Sequence, residues 1–156
     1  MPIGFGTIFV IPPVFAPIHS ASLPTVIYQG EALQLIDEAC RIIKEHGERY
    51  YEPEVLRIKG ELLLLKYPPE SDGSAPLADS AFSDARTAAQ MLGYQSLSLR
   101  IATSMARRCQ QQGETAAAID LLQNALAVLT EGQATRDHSR ARALLAQLVD
   151  PAAKRG

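Results

Sequence analysis

The side chains able to do chemistry in this 156-residue chain are few and scattered. Its three histidines, His19, His46 and His138, lie far apart in the sequence. None belongs to an HExxH run or stands near a CxxC pair, the spacings that gather zinc ligands, so no metal is expected and solvated or helix-capping histidines are. The carboxylates Asp37, Glu38, Glu61, Asp79 and Asp84 fall in helix-like stretches. A solvated helix face is the ordinary place for such acids, and nothing beside them marks one for a raised pKa. Ser104 and Cys109 have no neighbouring base to activate a nucleophile. A phosphate-cradling GxxxxGK[ST] loop is absent. The expectation is a chain that is not an enzyme and carries no cofactor, which leaves binding as the function class to consider.

Composition narrows the partners. The net charge of −2, with 47% hydrophobic and 21% charged residues, describes an ordinary folded domain and no field that would recruit phosphates or a bilayer. Arg136, Arg140, Arg142, Lys154 and Arg155 make one end modestly basic. No aromatics interleave with them to stack bases, so nucleic acid is not an expected partner. Cys40 and Cys109 form no CxxC pair and are expected as buried, reduced thiols of a cytoplasmic protein.

The elements that position these groups change character near residue 30. The opening "MPIGFGTIFVIPPVFAPIHSASLPTVIYQG" has no acidic or basic side chain and five prolines, Pro2, Pro12, Pro13, Pro17 and Pro24. Prolines at that density break both a long helix and the unbroken apolar run of a secretory signal or membrane span. Residues 1–29 are expected as an extended apolar arm, strand-like around residues 7–11. Beyond it the period becomes helical. Leu33, Ile36, Cys40 and Ile43 share one face of a helix ended by Gly47. "EPEVLRIKGELLLLKY" has Pro53 and two acids at its start, as a helix N-terminus favours. The composition of "PPESDGSAP" predicts a loop. "LADSAFSDARTAAQML" before Gly93, "SLSLRIATSMARRCQQQ" before Gly113, "TAAAIDLLQNALAVLT" before Gly132 and "DHSRARALLAQLV" before Pro151 complete an all-α reading.

A phrase recurs in these helices. "ALQLIDEA" from position 32, "ADSAFSDA" from 78 and "AIDLLQNA" from 118 align Ala32, Ile36 and Ala39 with Ala78, Phe82 and Ala85, and with Ala118, Leu122 and Ala125. Sixteen residues after the last alanine of each set stand Val55, Ile101 and Ala141, and twenty-one after it Gly60, Ala106 and Ala146. Small residues at such positions let paired helices approach to about 8–10 Å. Antiparallel helical hairpins that cannot each hide an apolar face alone would then stack over residues 30–150, followed by a basic tail at 151–156.

The alanine, bulky, alanine phrase on second helices, with a small residue midway along first helices, resembles a tetratricopeptide-type repeat. More narrowly, "GERYYEPEVLRIKGELLL", "SLSLRIATSMARRCQQQGE" and "SRARALLAQL" resemble the C-terminal repeat region of large bacterial signalling ATPases, which join an ATPase module and often an adenylate-cyclase-like or DNA-binding domain to a repeat array. The resemblance implies a right-handed solenoid. It does not carry over ATPase, cyclase or DNA-binding activity, because no segment here corresponds to those modules, and the usual repeat tryptophan is missing. In relatives a helix precedes the one beginning at "EALQ", so the chain reads as a truncated array. The stripe of Leu33, Ile36 and Ile43 would then be covered by the arm or by another chain, as in a homodimer through the first helix.

First helices line the concave face of such arrays, and carrying those positions over places Glu54, Arg57, Glu61, Arg100, Thr103, Arg107 and Arg140 in a groove. Arginines there would hold a carboxylate or an acidic protein or peptide through paired donors. The alternative is that they are solvated and paired with Glu54, Glu61 or Asp84. The implied function is a protein-interaction or regulatory scaffold in signal transduction, with no membrane or nucleic-acid partner. The alternative is a remnant of a larger ATPase-linked or cyclase-linked regulator with no role of its own.

Overall fold

Helix ends fall where the sequence places glycine. In the computed structural model, which describes residues 23–66 and 75–150, Gly93 and Gly113 have φ of +69° and +81°. This left-handed region is open to glycine because it has no Cβ. At the first corner the Tyr94 N–H donates to Ala89 O at 3.1 Å and the Gly93 N–H to Gln90 O at 3.2 Å. At the second, the Glu114 N–H donates to Cys109 O at 2.9 Å and the Gly113 N–H to Gln110 O at 3.2 Å. The same pair of bonds closes both helices and turns the chain back within two or three residues.

The described residues form six α-helices: α1 (Leu23–His46), α2 (Glu52–Lys66), α3 (Ala75–Leu92), α4 (Gln95–Gln111), α5 (Thr115–Val128) and α6 (Arg136–Val149). A 3-10 turn, Arg49–Tyr51, leads into α2, and no strand occurs among the described residues. The all-α expectation is met for these residues. Three boundaries differ from it, and one of them is the end of α5, which stops at Val128 with Leu129 extended rather than running on to Gly132. Helix α1 begins at Leu23, inside the segment expected as an arm, with Pro24 in its first turn. Helix α3 begins at Ala75, inside the expected loop, with Pro76 in its first turn. A first-turn proline gives up an N–H that has no intrahelical partner anyway, so proline opens these helices where it would break their middles. The strand-like stretch at 7–11 and the tail at 151–156 lie outside the described residues.

Neighbours in sequence pack against each other throughout, and α2 also packs on α4, as α4 does on α6. The core divides accordingly. Leu33, Leu63, Ala78, Ala81 and Phe82 cluster between α1, α2 and α3. Ala85, Ala89 and Ile101 join α3 to α4, with Leu56 and Met105 against them. Leu99, Ala106, Ala118, Leu122, Ala141, Leu144 and Leu148 hold α4, α5 and α6 together.

The small positions matter at the closest approaches. A Cβ built on Gly60 would lie 2.7–2.9 Å from three atoms of the Phe82 ring, so only hydrogen fits. One hairpin on, Ala106 shares a cluster with Leu122. The smaller residue faces the larger in one pair and the larger faces the smaller in the other. The outer copies are less complete. Ala78, Ala85 and Ala118 have no exposed surface, whereas Ala32, Ile36 and Ala39 are half-exposed and Ala146 is exposed. Of the stripe expected to lie open on α1, Leu33 is instead buried in the α2–α3 cluster, and Ile36 and Ile43 are half-buried.

Candidate interaction surface on the even-numbered helices

Most of the groove expected on α2, α4 and α6 is occupied by its own ion pairs. On α2, Arg57 stands three residues after Glu54 and four before Glu61, spacings that bring side chains together on one helix face. Its Nε and Nη2 donate to Glu54 Oε2 and Oε1 at 2.9 Å each, and its Nη1 donates to Glu61 Oε1 at 2.6 Å. Arg100 on α4 crosses to both neighbours. Its Nη1 donates to Glu54 Oε1 at 3.0 Å, and its Nη2 and Nε donate to Asp137 Oδ2 of α6 at 2.7 and 3.0 Å. Ser104 Oγ donates to Glu61 Oε1 at 2.7 Å and accepts from Arg57 Nη1 at 3.3 Å. Three acids and two arginines thus tie three helices together near the starts of α2 and α6.

The electrostatics follow from that geometry. Burial alone would push the Glu54 carboxyl up, but the Arg57 and Arg100 guanidiniums outweigh it and hold Glu54 below the usual carboxylate range. Burial likewise works against the charge on Arg57, and Glu54 and Glu61 restore it. A carboxyl whose folded-state pKa is depressed contributes stability that is fully present above its unfolded value, about 4.3, and lost as pH falls from there through the folded value. Urea titrations at pH 7 and pH 3 should therefore show a wild-type stability that drops more steeply than that of Glu54→Gln. Equal drops would mean that Glu54 carries no linked proton.

The seven expected residues consequently divide. Glu54, Arg57, Glu61 and Arg100 satisfy one another, with Asp137 in the role expected of Asp84. Thr103 is buried and turns inward, its Oγ1 donating to Leu99 O at 2.8 Å. Arg107 and Arg140 remain exposed and have no ion pair among the described residues. They flank one open cleft of ≈ 340 Å³ between α4 and α6, together with Gln110, Gln111, Gln147 and the buried Leu144. The next residue along, Arg108, points the other way and is buried against Asp79 of α3, with Nε 3.4 Å from Oδ1.

Sequence reasoning missed Asp137, Ser104 and the glutamines. The spacing of Glu54, Arg57 and Glu61 was a usable signal for the pairing on α2, whereas Asp137 meets Arg100 across 37 residues. The remaining chemistry-bearing groups are quiet. Cys40 and Cys109 are free and half-buried rather than buried, and loss of water pushes both thiols up, away from reactive thiolate. His46 Nδ1 lies 3.1 Å from Ile42 O in the last turn of α1, and the His138 N–H donates to the capping Thr135 Oγ1. His19 lies outside the described residues. No group of three or more His, Cys, Asp or Glu among the described residues is placed to hold a metal ion. No described helix is long and apolar enough to cross a membrane. No protein-family model, curated protein or solved structure matches the chain.

Proposed function

We propose that this chain is a protein-interaction module of the tetratricopeptide kind, which holds an acidic peptide segment against α4 and α6. The observation that carries this reading is that Arg107 and Arg140, on adjacent helices, share one cleft and have no carboxylate of their own among the described residues. Two free guanidiniums side by side offer the planar, paired donors that carboxylates accept, and three neighbouring amides supply further donors. Arg57 and Arg100 serve the scaffold instead, since their donors already face Glu54, Glu61 and Asp137. The next-but-one packing of α2, α4 and α6 supports a stacked-hairpin array, while descent from the repeat region of a signalling ATPase rests on the sequence resemblance.

Fluorescence anisotropy with a labelled peptide rich in aspartate and glutamate tests the site. Wild-type protein should bind it with an affinity that falls as salt rises. Arg107→Glu with Arg140→Glu should weaken binding by at least about tenfold, the scale of one charge-assisted contact. Arg86→Glu, an exposed arginine on α3, should leave it unchanged. Binding retained in the double variant removes this cleft as the site.

A further inference from the structure

We propose that copies of this chain associate head to tail, with α6 of one copy seated on α1 of the next. The shape of that contact is already present inside the chain. Ala78, Ala81, Phe82 and Ala85 form the buried face of α3, with Phe82 against Gly60 of α2, and they are 0%, 5%, 1% and 0% exposed. The same positions 46 residues earlier are Ala32, Leu35, Ile36 and Ala39 of α1. There Leu35 is 72% exposed, the other three are half-exposed, and Ile42 continues the stripe at 44%. Helix α1 thus carries the counterparts of a face that α3 buries, and here Leu35 and Ile42 are left open among the described residues.

Helix α6 is the complementary half. Ala146 stands at the position of Gly60 and Ala106, yet it is exposed, as are Ser139, Arg142 and Ala143 beside it. No described helix plays toward α6 the part that α3 plays toward α2. Setting Ala146 opposite Ile36, as Gly60 stands opposite Phe82, runs the two helices antiparallel and brings Arg142 level with Cys40.

Charge selects this pairing over a symmetric one. The exposed margin of the α1 stripe carries Glu31, Glu38 and Glu45 against the single Arg41, three negative charges against one positive. Two α1 helices packed antiparallel about a twofold axis would set these acidic margins against each other. The exposed side of α6 instead offers Arg142 and Arg136. A contact between two different faces does not close on itself, so it propagates until a ring or a filament forms.

Sedimentation equilibrium on the full 156-residue chain tests the proposal with Leu35→Glu and Ala146→Glu, both at exposed positions. Wild-type mass should climb with concentration in steps of one chain. Each variant alone should stay at one chain, because one of its two faces is blocked. Mixed together they should form a pair containing one chain of each and nothing larger. Ile42→Glu on the same stripe repeats the α1 arm should Leu35→Glu lose helical circular dichroism. Three results overturn the proposal. A wild-type chain that stays monomeric means that its own residues cover α1, dimers of Ala146→Glu alone mean an α1–α1 contact, and a mixture that does not pair means that the two faces do not meet.

Discussion

Gly60→Leu is expected to lower the unfolding free energy by about 3 kcal/mol, the upper part of the range for forcing extra atoms into a packed core. The first added carbon already meets the Phe82 ring at 2.7–2.9 Å. Phe82 cannot retreat easily, being 1% exposed and clustered with Leu63, Ala78 and Ala81. Gly60→Ala is the sharper experiment because two effects oppose each other. Alanine favours a helix interior by about 1 kcal/mol over glycine, while the clash costs about 1–3 kcal/mol, so the net change is a loss of about 1 kcal/mol. Adding Phe82→Leu to Gly60→Ala reproduces the Ala106 and Leu122 pair of the next hairpin and should recover most of that loss. A double-mutant cycle by urea unfolding measures the coupling. Strict additivity of the two changes would show that the close approach is not what demands glycine.

Arg57→Ala should cost about 2–3 kcal/mol and lower the melting temperature by roughly 5–10 °C. The loss comes less from the pair than from what remains. Glu54 and Glu61 would stay on one helix face, partly withdrawn from water, with their shared cation gone and only 12% of the Arg57 side chain exposed to soften the change. Arg57→Met keeps most of the apolar stem and separates packing from charge, so it should recover only the smaller part. Arg41 makes a useful contrast on α1. It bridges Glu38 and Glu45 with the same spacings, yet these side chains are half in solvent, and Arg41→Ala should leave the melting temperature where it is. Equal effects at the two arginines would show that the tie between α2 and α4 adds nothing beyond an ordinary surface pair.

Much of the fold was legible because local rules and packing agreed. Gly93 and Gly113 end helices by a backbone conformation that few other residues adopt, and that requirement is written in one residue type. Gly60 could be read as a small position from the repeat, although the Phe82 ring that requires it became visible only in three dimensions. The start of α1 was misread because the absence of charge and the presence of Pro24 look like an extended arm, while a proline in a first turn is harmless. The groove was half legible. The resemblance to tetratricopeptide arrays placed Glu54, Arg57, Arg100, Arg107 and Arg140 on one set of helices, but it could not say which arginines the protein had already matched with acids. That depended on Asp137 arriving from a distant helix, and on whether Arg107 or Arg108 faced inward, a difference of one residue that rotates a side chain by about 100°.

The helices of this chain pack mainly on partners one or two places away in the sequence order. Loop closure is then cheap for nearly every tertiary interaction, and a chain so wired belongs with rapid folders rather than with those that must first bring remote segments together. Its cooperativity is short-ranged for the same reason. The cluster around Phe82 and the cluster around Leu122 can open at different denaturant concentrations, so hydrogen exchange in α6 would report on a neighbour's stability and not on that of the whole molecule.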